Sequence, residues 1–210
     1  MAILVMVYGQ SGTGKSTSLR NFSPDEVAIV NVSGKPLPFR GAFKTLNSDN
    51  YQQIADAMMK TRKKAIVIDD ATYLMVNEFM RTATQAGYQK YTNMAVAFNS
   101  LIEFCSHLPD DKVVYFMGHS EHADDGREHF KTIGKMLDNY VTVEGRFTVV
   151  LKTVVQDGRY MFSTQNNGQD TVKTPMGLFA DALIDNDLKA VDTAIREYWG
   201  LFHDEGESDA

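Results

Sequence analysis

The sequence predicts an α/β fold: a mainly parallel central sheet flanked by helices, followed by an antiparallel β-hairpin and a terminal helix. Three observations point there. Short unbroken apolar runs, Ile3 to Tyr8, Val27 to Val32, Ala65 to Ile68 and Val113 to Met117, read as strands buried on both faces. Stretches with apolar residues at helical spacing lie between several of them. After about residue 140 the pattern turns to β, with Asp157-Gly158 as a tight turn that accepts positive φ at low cost.

Taken in order, Ile3 to Tyr8 is the first strand, and a helix is expected from about Gly14 to Asn21. Val27 to Val32 follows, with a short strand at Lys44 to Leu46. Asp49 or Asn50 is placed to cap a helix from Tyr51 to Lys63, with Ile54, Ala57 and Met58 inward. Arg62-Lys63-Lys64 reads as its solvated end. The strand Ala65 to Ile68 leads into a helix from Thr72 to Gln85, broken by Gly87, and a second from Thr92 to Leu108, stopped by Pro109. Val113 to Met117 is the next buried strand, and a charged stretch runs from Glu121 to Asn139. Val141 to Glu144, Phe147 to Val155 and Arg159 to Thr164 read as strands, the last two joined in a hairpin. Asn186 is the expected cap of a final helix reaching Trp199, closed by Gly200. Met58, Met75, Met80, Met94 and Met136 read as core filler.

The 210 residues, 43% hydrophobic and 23% charged, suit one globular domain over residues 1–200. Residues 201–210 form an acidic tail, expected to be disordered. Its four acids account for most of the formal charge of −6, leaving the body near −2 (−6 plus 4). That balance argues against a general nucleic-acid coat protein, which would be basic, so any basic surface must be local. The lone Cys105 allows no internal disulfide, which suits a reducing cytoplasm. The apolar start lacks a basic n-region and reads as a strand, not as a signal peptide or membrane span, so no membrane partner is expected.

The chemistry concentrates at the end of the first strand. Gly9-Gln10-Ser11-Gly12-Thr13-Gly14-Lys15-Ser16 fits G-x-x-x-x-G-K-[ST] without a mismatch. The glycines allow backbone N–H groups to turn toward phosphate oxygens, and the helix start beyond directs its positive end at the same anion. Lys15 is expected to reach the β- and γ-phosphates of a nucleoside triphosphate, with Ser16 giving a hydroxyl to Mg²⁺ and Thr17 beside the phosphates. Ala65-Ile66-Val67-Ile68-Asp69-Asp70 has the Walker B form, an apolar strand delivering Asp69 to the same Mg²⁺. Asp70 is either the general base that orients the attacking water or the N-cap of the helix from Thr72. His119, ending the next strand, is either a γ-phosphate sensor or a hydrogen-bonded strand-end residue. His122 and His129 have no partner spacing that makes a convincing metal site.

This order of P-loop, intervening strand, Walker B, strand with a polar end, charged loop and hairpin resembles the RecA-like branch of P-loop ATPases. Two further stretches, Gln165 to Phe179 and Asp185 to Asp192, resemble a family of phage nucleotide-binding proteins, the phage AAA-type ATPases, which has Sak-type recombination proteins among its relatives. The resemblance implies ATP and Mg²⁺ as cofactors and an ATPase acting on single-stranded DNA in phage recombination or replication. Phage or host recombination and replication proteins are the implied partners, and the host cytoplasm the implied location. It also implies a homo-oligomer in which Arg159 or Lys173 completes a neighbour's site. The loop from Ser120 to Asp138 would face DNA through Arg127, Lys131 and Lys135, whose spacing of four places them on one face if the segment becomes helical. The mixed charge of that loop equally suits a solvated surface segment. The chain departs from RecA-like enzymes in having no glutamate between Asn31 and Gly34, where the water-activating acid often stands. Two other functions stay open: a small-molecule or nucleotide kinase, and a slowly hydrolysing switch or loader that acts on a partner protein.

Overall fold

The computed structural model describes residues 1–201, with the backbone alone at 135, 138 and 139, so the acidic stretch from 202 onward lies outside the described residues. Nine strands form one sheet: β1 (Ile3–Gly9), β2 (Val27–Asn31), β3 (Thr45–Leu46), β4 (Ala65–Asp69), β5 (Val113–His122), β6 (Glu128–Phe130), β7 (Val149–Gln156), β8 (Arg159–Ser163) and β9 (Leu183–Asp185). Their order is β3-β2-β4-β5-β1-β7-β8-β9, with β6 pairing off the end of β5. From β3 to β7 every pair is parallel. The pairs β7 with β8, β8 with β9 and β5 with β6 are antiparallel. This is a mixed α/β fold with a mostly parallel central sheet flanked by helices.

The period of two along each strand sends alternate residues to opposite faces. On β1, Leu4, Met6 and Tyr8 join one core cluster and Ile3, Val5 and Val7 the other. The first cluster packs α1 (Tyr51–Lys60), α2 (Thr72–Arg81), α3 (Gln89–Ser106) and α4 (Lys135–Tyr140) against the sheet. The second packs the 3-10 turn Ser16–Asn21 and α5 (Leu188–Trp199) on the other face. Tyr115 on β5 donates to Asp192 Oδ1 at 2.8 Å, and Arg196 holds the other carboxylate oxygen at 2.8 Å, so α5 is locked to the sheet by a buried polar triad.

Several elements differ from the sequence expectation. The first helix is a 3-10 turn starting at Ser16, because the Ser18 hydroxyl takes the Lys15 carbonyl at 2.6 Å and competes with the i to i+4 ladder. Helix α1 ends at Lys60, and Lys63 beyond it donates to the carbonyls of Pro24 and Val27, so it is tied down, not simply solvated. Strand β5 runs on to His122, because the charged stretch folds back: Ser120 pairs with Phe130 and His122 with Glu128. Arg127 therefore sits in the turn of a hairpin, Lys131 just after β6 and Lys135 at the start of α4, so the three cations do not share a helical face. Val141 to Glu144 is not a strand. Val143–Arg146 is a 3-10 turn, pinned because the buried Glu144 carboxylate accepts the Phe130 N–H at 2.9 Å. Met58, Met75 and Met94 are buried as expected, whereas Met80 is 65% exposed.

Asn50 caps α1, accepting the Gln53 N–H at 3.0 Å. At α5 the cap is Asp187, not Asn186. Its Oδ1 accepts from Lys189 N at 2.9 Å and Ala190 N at 3.2 Å, while Gly200 closes the helix at φ 63°. Asp187→Ala is expected to lower stability by about 0.5–2 kcal/mol in chemical denaturation. An unchanged midpoint would mean that the cap contributes nothing.

Candidate functional site

Strands β1, β2, β4 and β5 run in the same direction, so their C-terminal ends open on one edge of the sheet, where ligands of open α/β sheets bind. A cleft of about 740 Å³ lies there, within the range of small-molecule sites. From the glycine loop it takes Ser11, Gly12, Gly14, Lys15, Ser16 and Thr17; from the strands it takes Asp69, Asp70 and His119. Of the loop residues expected to bind phosphate, Gly9, Gln10 and Thr13 do not line it. They build the loop from behind. The Thr13 hydroxyl pairs with the Gln10 carbonyl at 2.7 Å and with Thr153 of β7 at 2.6 Å, and a Cβ at Gly9 would collide with the Thr153 hydroxyl. Gly12 and Gly14 have φ of 81° and 92°, which a side chain would strain.

Lys15 is buried, and its ammonium donates to the carbonyls of Gly9 and Gln10 at 2.8 Å each. Burial lowers its pKa, while the carboxylates of Asp70 and Asp69 oppose that shift. Ser16 Oγ donates to Asp69 Oδ1 at 2.9 Å across 53 residues of chain. A hydroxyl and a carboxylate held together are hard oxygen donors of the kind Mg²⁺ takes alongside phosphate oxygens and water, so the pair fits that ion. Among the described residues no cluster of three His, Cys, Asp or Glu side chains is placed to hold a metal by itself. When bound, Mg²⁺ would neutralise charge on the phosphates; Ser16 and Asp69 would hold it.

Burial, with the Asp70 carboxylate second, pushes Asp69 up to about 6, against the Ser16 hydrogen bond and the Lys15 charge. A carboxyl raised in the folded state holds a proton that the unfolded chain has lost, so its ionised form destabilises the fold above pH 6. Below about pH 4 both states are protonated and the penalty is absent. Without Mg²⁺ or nucleotide, Asp69→Asn is therefore expected to be more stable than the parent at pH 8, by about 1–3 kcal/mol. The gap should shrink as pH falls from 6 to 4. Equal stability at pH 8 would contradict the burial argument.

Asp70 has φ 60°, a left-handed conformation uncommon for a residue with a side chain. The turn is held by the Ala71 N–H, which donates to the Met117 carbonyl at 2.7 Å. Among the described residues no side chain caps α2, whose N-cap position is Ala71, so Asp70 is not the helix cap. Its carboxylate stands 3.8 Å from His119 Nε2. His119 lies within β5, not at its end, with its backbone N–H on the Thr72 hydroxyl at 3.0 Å and its ring edge-on to Tyr73. Burial, then the Lys15 charge, hold its pKa below the ordinary value, against the Asp70 carboxylate.

The cleft also gathers residues that sequence reasoning missed: Arg20, Lys35, Tyr73, Tyr160 and Asn186. Asn186 was legible only as a helix cap, since asparagine before a periodic helix carries that signal. Arg159, expected to serve a neighbour, lines the cleft of its own chain, whereas Lys173 pairs its backbone with Val150 and does not line it. Asn31, at the end of β2, is occupied structurally: its amide holds the Lys35 carbonyl at 2.6 Å and the Gly34 N–H at 2.9 Å. No helix among the described residues is long and apolar enough to cross a membrane. No family model and no curated protein matches the chain.

Proposed function

We propose that the protein is a Mg²⁺-dependent ATP-binding protein of the RecA-like P-loop kind, an ATPase that acts on single-stranded DNA in phage recombination or replication. The observation that carries the nucleotide part is the 2.9 Å contact between Ser16 and Asp69. It joins the ends of two motifs, each read separately from the sequence, over a cleft that also receives Lys15. The strand order supports the RecA-like assignment: β5 lies between β1 and β4, which sets His119 between the phosphate loop and the acid strand. Asp70 is the general base in this reading, since β2 ends in an asparagine that is already engaged.

The DNA part rests on the resemblance of the C-terminal stretches and on one structural link. The Lys131 N–H donates to the His119 carbonyl at 2.8 Å, so a shift at His119 on sensing a γ-phosphate would pass directly into the β5–β6 hairpin. The kinase reading is less well supported. Arg127, the only arginine of the segment that would form a lid, is bound to Asp125 at 2.7 Å. The slow switch acting on a partner protein is the second reading, favoured by Asn31 standing where the water-activating acid is expected.

The deciding experiment is ATP turnover with and without single-stranded DNA, across protein concentration. Stimulation by the DNA supports the proposal, and stimulation by a phosphoryl acceptor would replace it with the kinase. Absence of single-strand binding at micromolar protein, with nucleotide present and salt low, overturns the DNA role.

A further inference from the structure

Asn186 is 3% exposed, and neither its Oδ1 nor its Nδ2 has a hydrogen-bond partner among the described residues. Burying an amide with both ends unpaired is unfavourable, and such a group in a native fold calls for a partner. The residue is nonetheless held firmly. Its N–H donates to the Tyr160 carbonyl at 3.3 Å, continuing the β8–β9 ladder, and its carbonyl accepts from Arg20 Nη1 at 2.6 Å. Asn186 lines the cleft, and its amide packs against the back of Gly14, where a Cβ would sit 3.1 Å from Oδ1 and 2.9 Å from the Tyr160 ring. A residue larger than glycine there would push both away. Tyr160 itself is 50% exposed, with its ring along the same wall.

The sheet order sets the direction of a bound nucleotide. Asp69, Asp70 and His119 come from β4, the turn beyond β4 and β5, on one side of β1. Tyr160 and Asn186 come from β8 and the end of β9, on the other. With the terminal phosphate at the acidic end, the base lies toward Tyr160 and Asn186. A phosphate oxygen would satisfy only the amide N–H and leave Oδ1 facing an anion. A base edge that offers a donor beside an acceptor satisfies both.

We infer that Asn186 and Tyr160 form a base-recognition subsite, in which Asn186 reads the edge of adenine and Tyr160 stacks on its face. Adenine offers N6–H beside N7 on one edge and N6–H beside N1 on the other, so the amide pairs fully on either. Guanine offers two acceptors on its N7/O6 edge, which leaves Oδ1 opposed, whereas its O6/N1–H edge pairs with the amide as adenine does; the preference for adenine therefore belongs to an Asn186 that reads the N7 edge. This inference rests on the cleft being a nucleoside triphosphate site.

The test measures the binding of ATP, GTP and inorganic tripolyphosphate, each with Mg²⁺, to the parent, Asn186→Ala, Asn186→Asp, Tyr160→Ala and Lys15→Ala. The parent should prefer ATP to GTP. Asn186→Ala should weaken ATP by roughly 5- to 150-fold, the discrimination expected of a bidentate amide, and erase the preference. Asn186→Asp should shift the preference toward GTP, because a carboxylate accepts from guanine N1–H and N2–H and repels the adenine acceptors. Tyr160→Ala should weaken both nucleotides by roughly 5- to 150-fold, as loss of one stacked base does. Tripolyphosphate affinity should be unchanged in all three. Should Asn186→Ala fail to fold, the half-exposed Tyr160→Ala decides alone. An unchanged ATP-to-GTP ratio in Asn186→Ala, or an equal loss of tripolyphosphate binding, overturns the base assignment while Lys15-dependent tripolyphosphate binding keeps the phosphate site. Loss of no ligand in Lys15→Ala overturns the phosphate site itself.

Discussion

Lys15→Ala is expected to weaken Mg·ATP binding on the order of 10²- to 10⁴-fold, from the roughly 3–5 kcal/mol lost when one member of a buried ion pair is removed. The side chain is 7% exposed, and its ammonium is already turned inward on the Gly9 and Gln10 carbonyls. A triphosphate entering the cleft would meet that cation in a site partly shielded from water, where Coulombic attraction is strongest. Without it the polyanion meets Asp69 and Asp70 with the buried cation of the loop gone. The fold should survive, because among the described residues the lysine ammonium hydrogen-bonds only to its own loop. Titration calorimetry with Mg·ATP checks this, with circular dichroism as the control for folding. Parent-like affinity in a folded variant would remove the phosphate role from Lys15.

Asp70→Asn is expected to lower ATP turnover by roughly 10²- to 10⁴-fold while Mg·ATP affinity changes little, as removal of a general base does. The substitution is chosen for its backbone. Asparagine tolerates the left-handed conformation that Asp70 adopts at φ 60°, so the turn from β4 into α2 is preserved. Strain of this kind concentrates at functional sites, and here it directs a carboxylate into the cleft beside His119. Asp70 has no capping role that asparagine would need to replace, since the N-cap position of α2 is Ala71. Single-turnover and steady-state rates, measured at saturating Mg·ATP, separate chemistry from binding. A full rate in the variant would assign water activation to another group and favour the slow-switch reading.

The halves of the site that could be read from the sequence are those made by consecutive residues. Strand β1, the glycine turn, Lys15 and Ser16 are one local unit, whose strand-turn-helix order follows from an apolar run, two positive-φ glycines and a following apolar face. Asp69 was equally legible as the acid after four apolar residues. Asp70 was legible as a residue of interest but not in its role, because base and cap demand the same carboxylate. The hairpin over residues 120–130 was not legible. Its arms are rich in charge, and β6 forms because Phe130 reaches the core and its N–H meets Glu144, a contact between distant segments. Val141 to Glu144 failed for the same reason: its β-branched residues favour a strand, and the buried Glu144 overrides them.

Asn186 shows the division most clearly. Asparagine and aspartate are both good helix caps, so Asn186-Asp187 before a periodic helix leaves the cap ambiguous by one residue. The choice falls to Asp187 once Asn186 is drawn into the β8–β9 ladder and held by Arg20, a residue 166 positions away. The sequence by itself determined the strands of the parallel sheet, the glycine loop after β1 and the positions of Ser16 and Asp69 at the ends of their motifs, because each depends on periodicity or on neighbouring residues. The tertiary structure alone decided that β5 lies between β1 and β4, that His119 faces Asp70, and that Asn186 closes over Gly14. Those follow from which strands pair and which side chains fill the space between them, and such long-range packing leaves no pattern within any single segment.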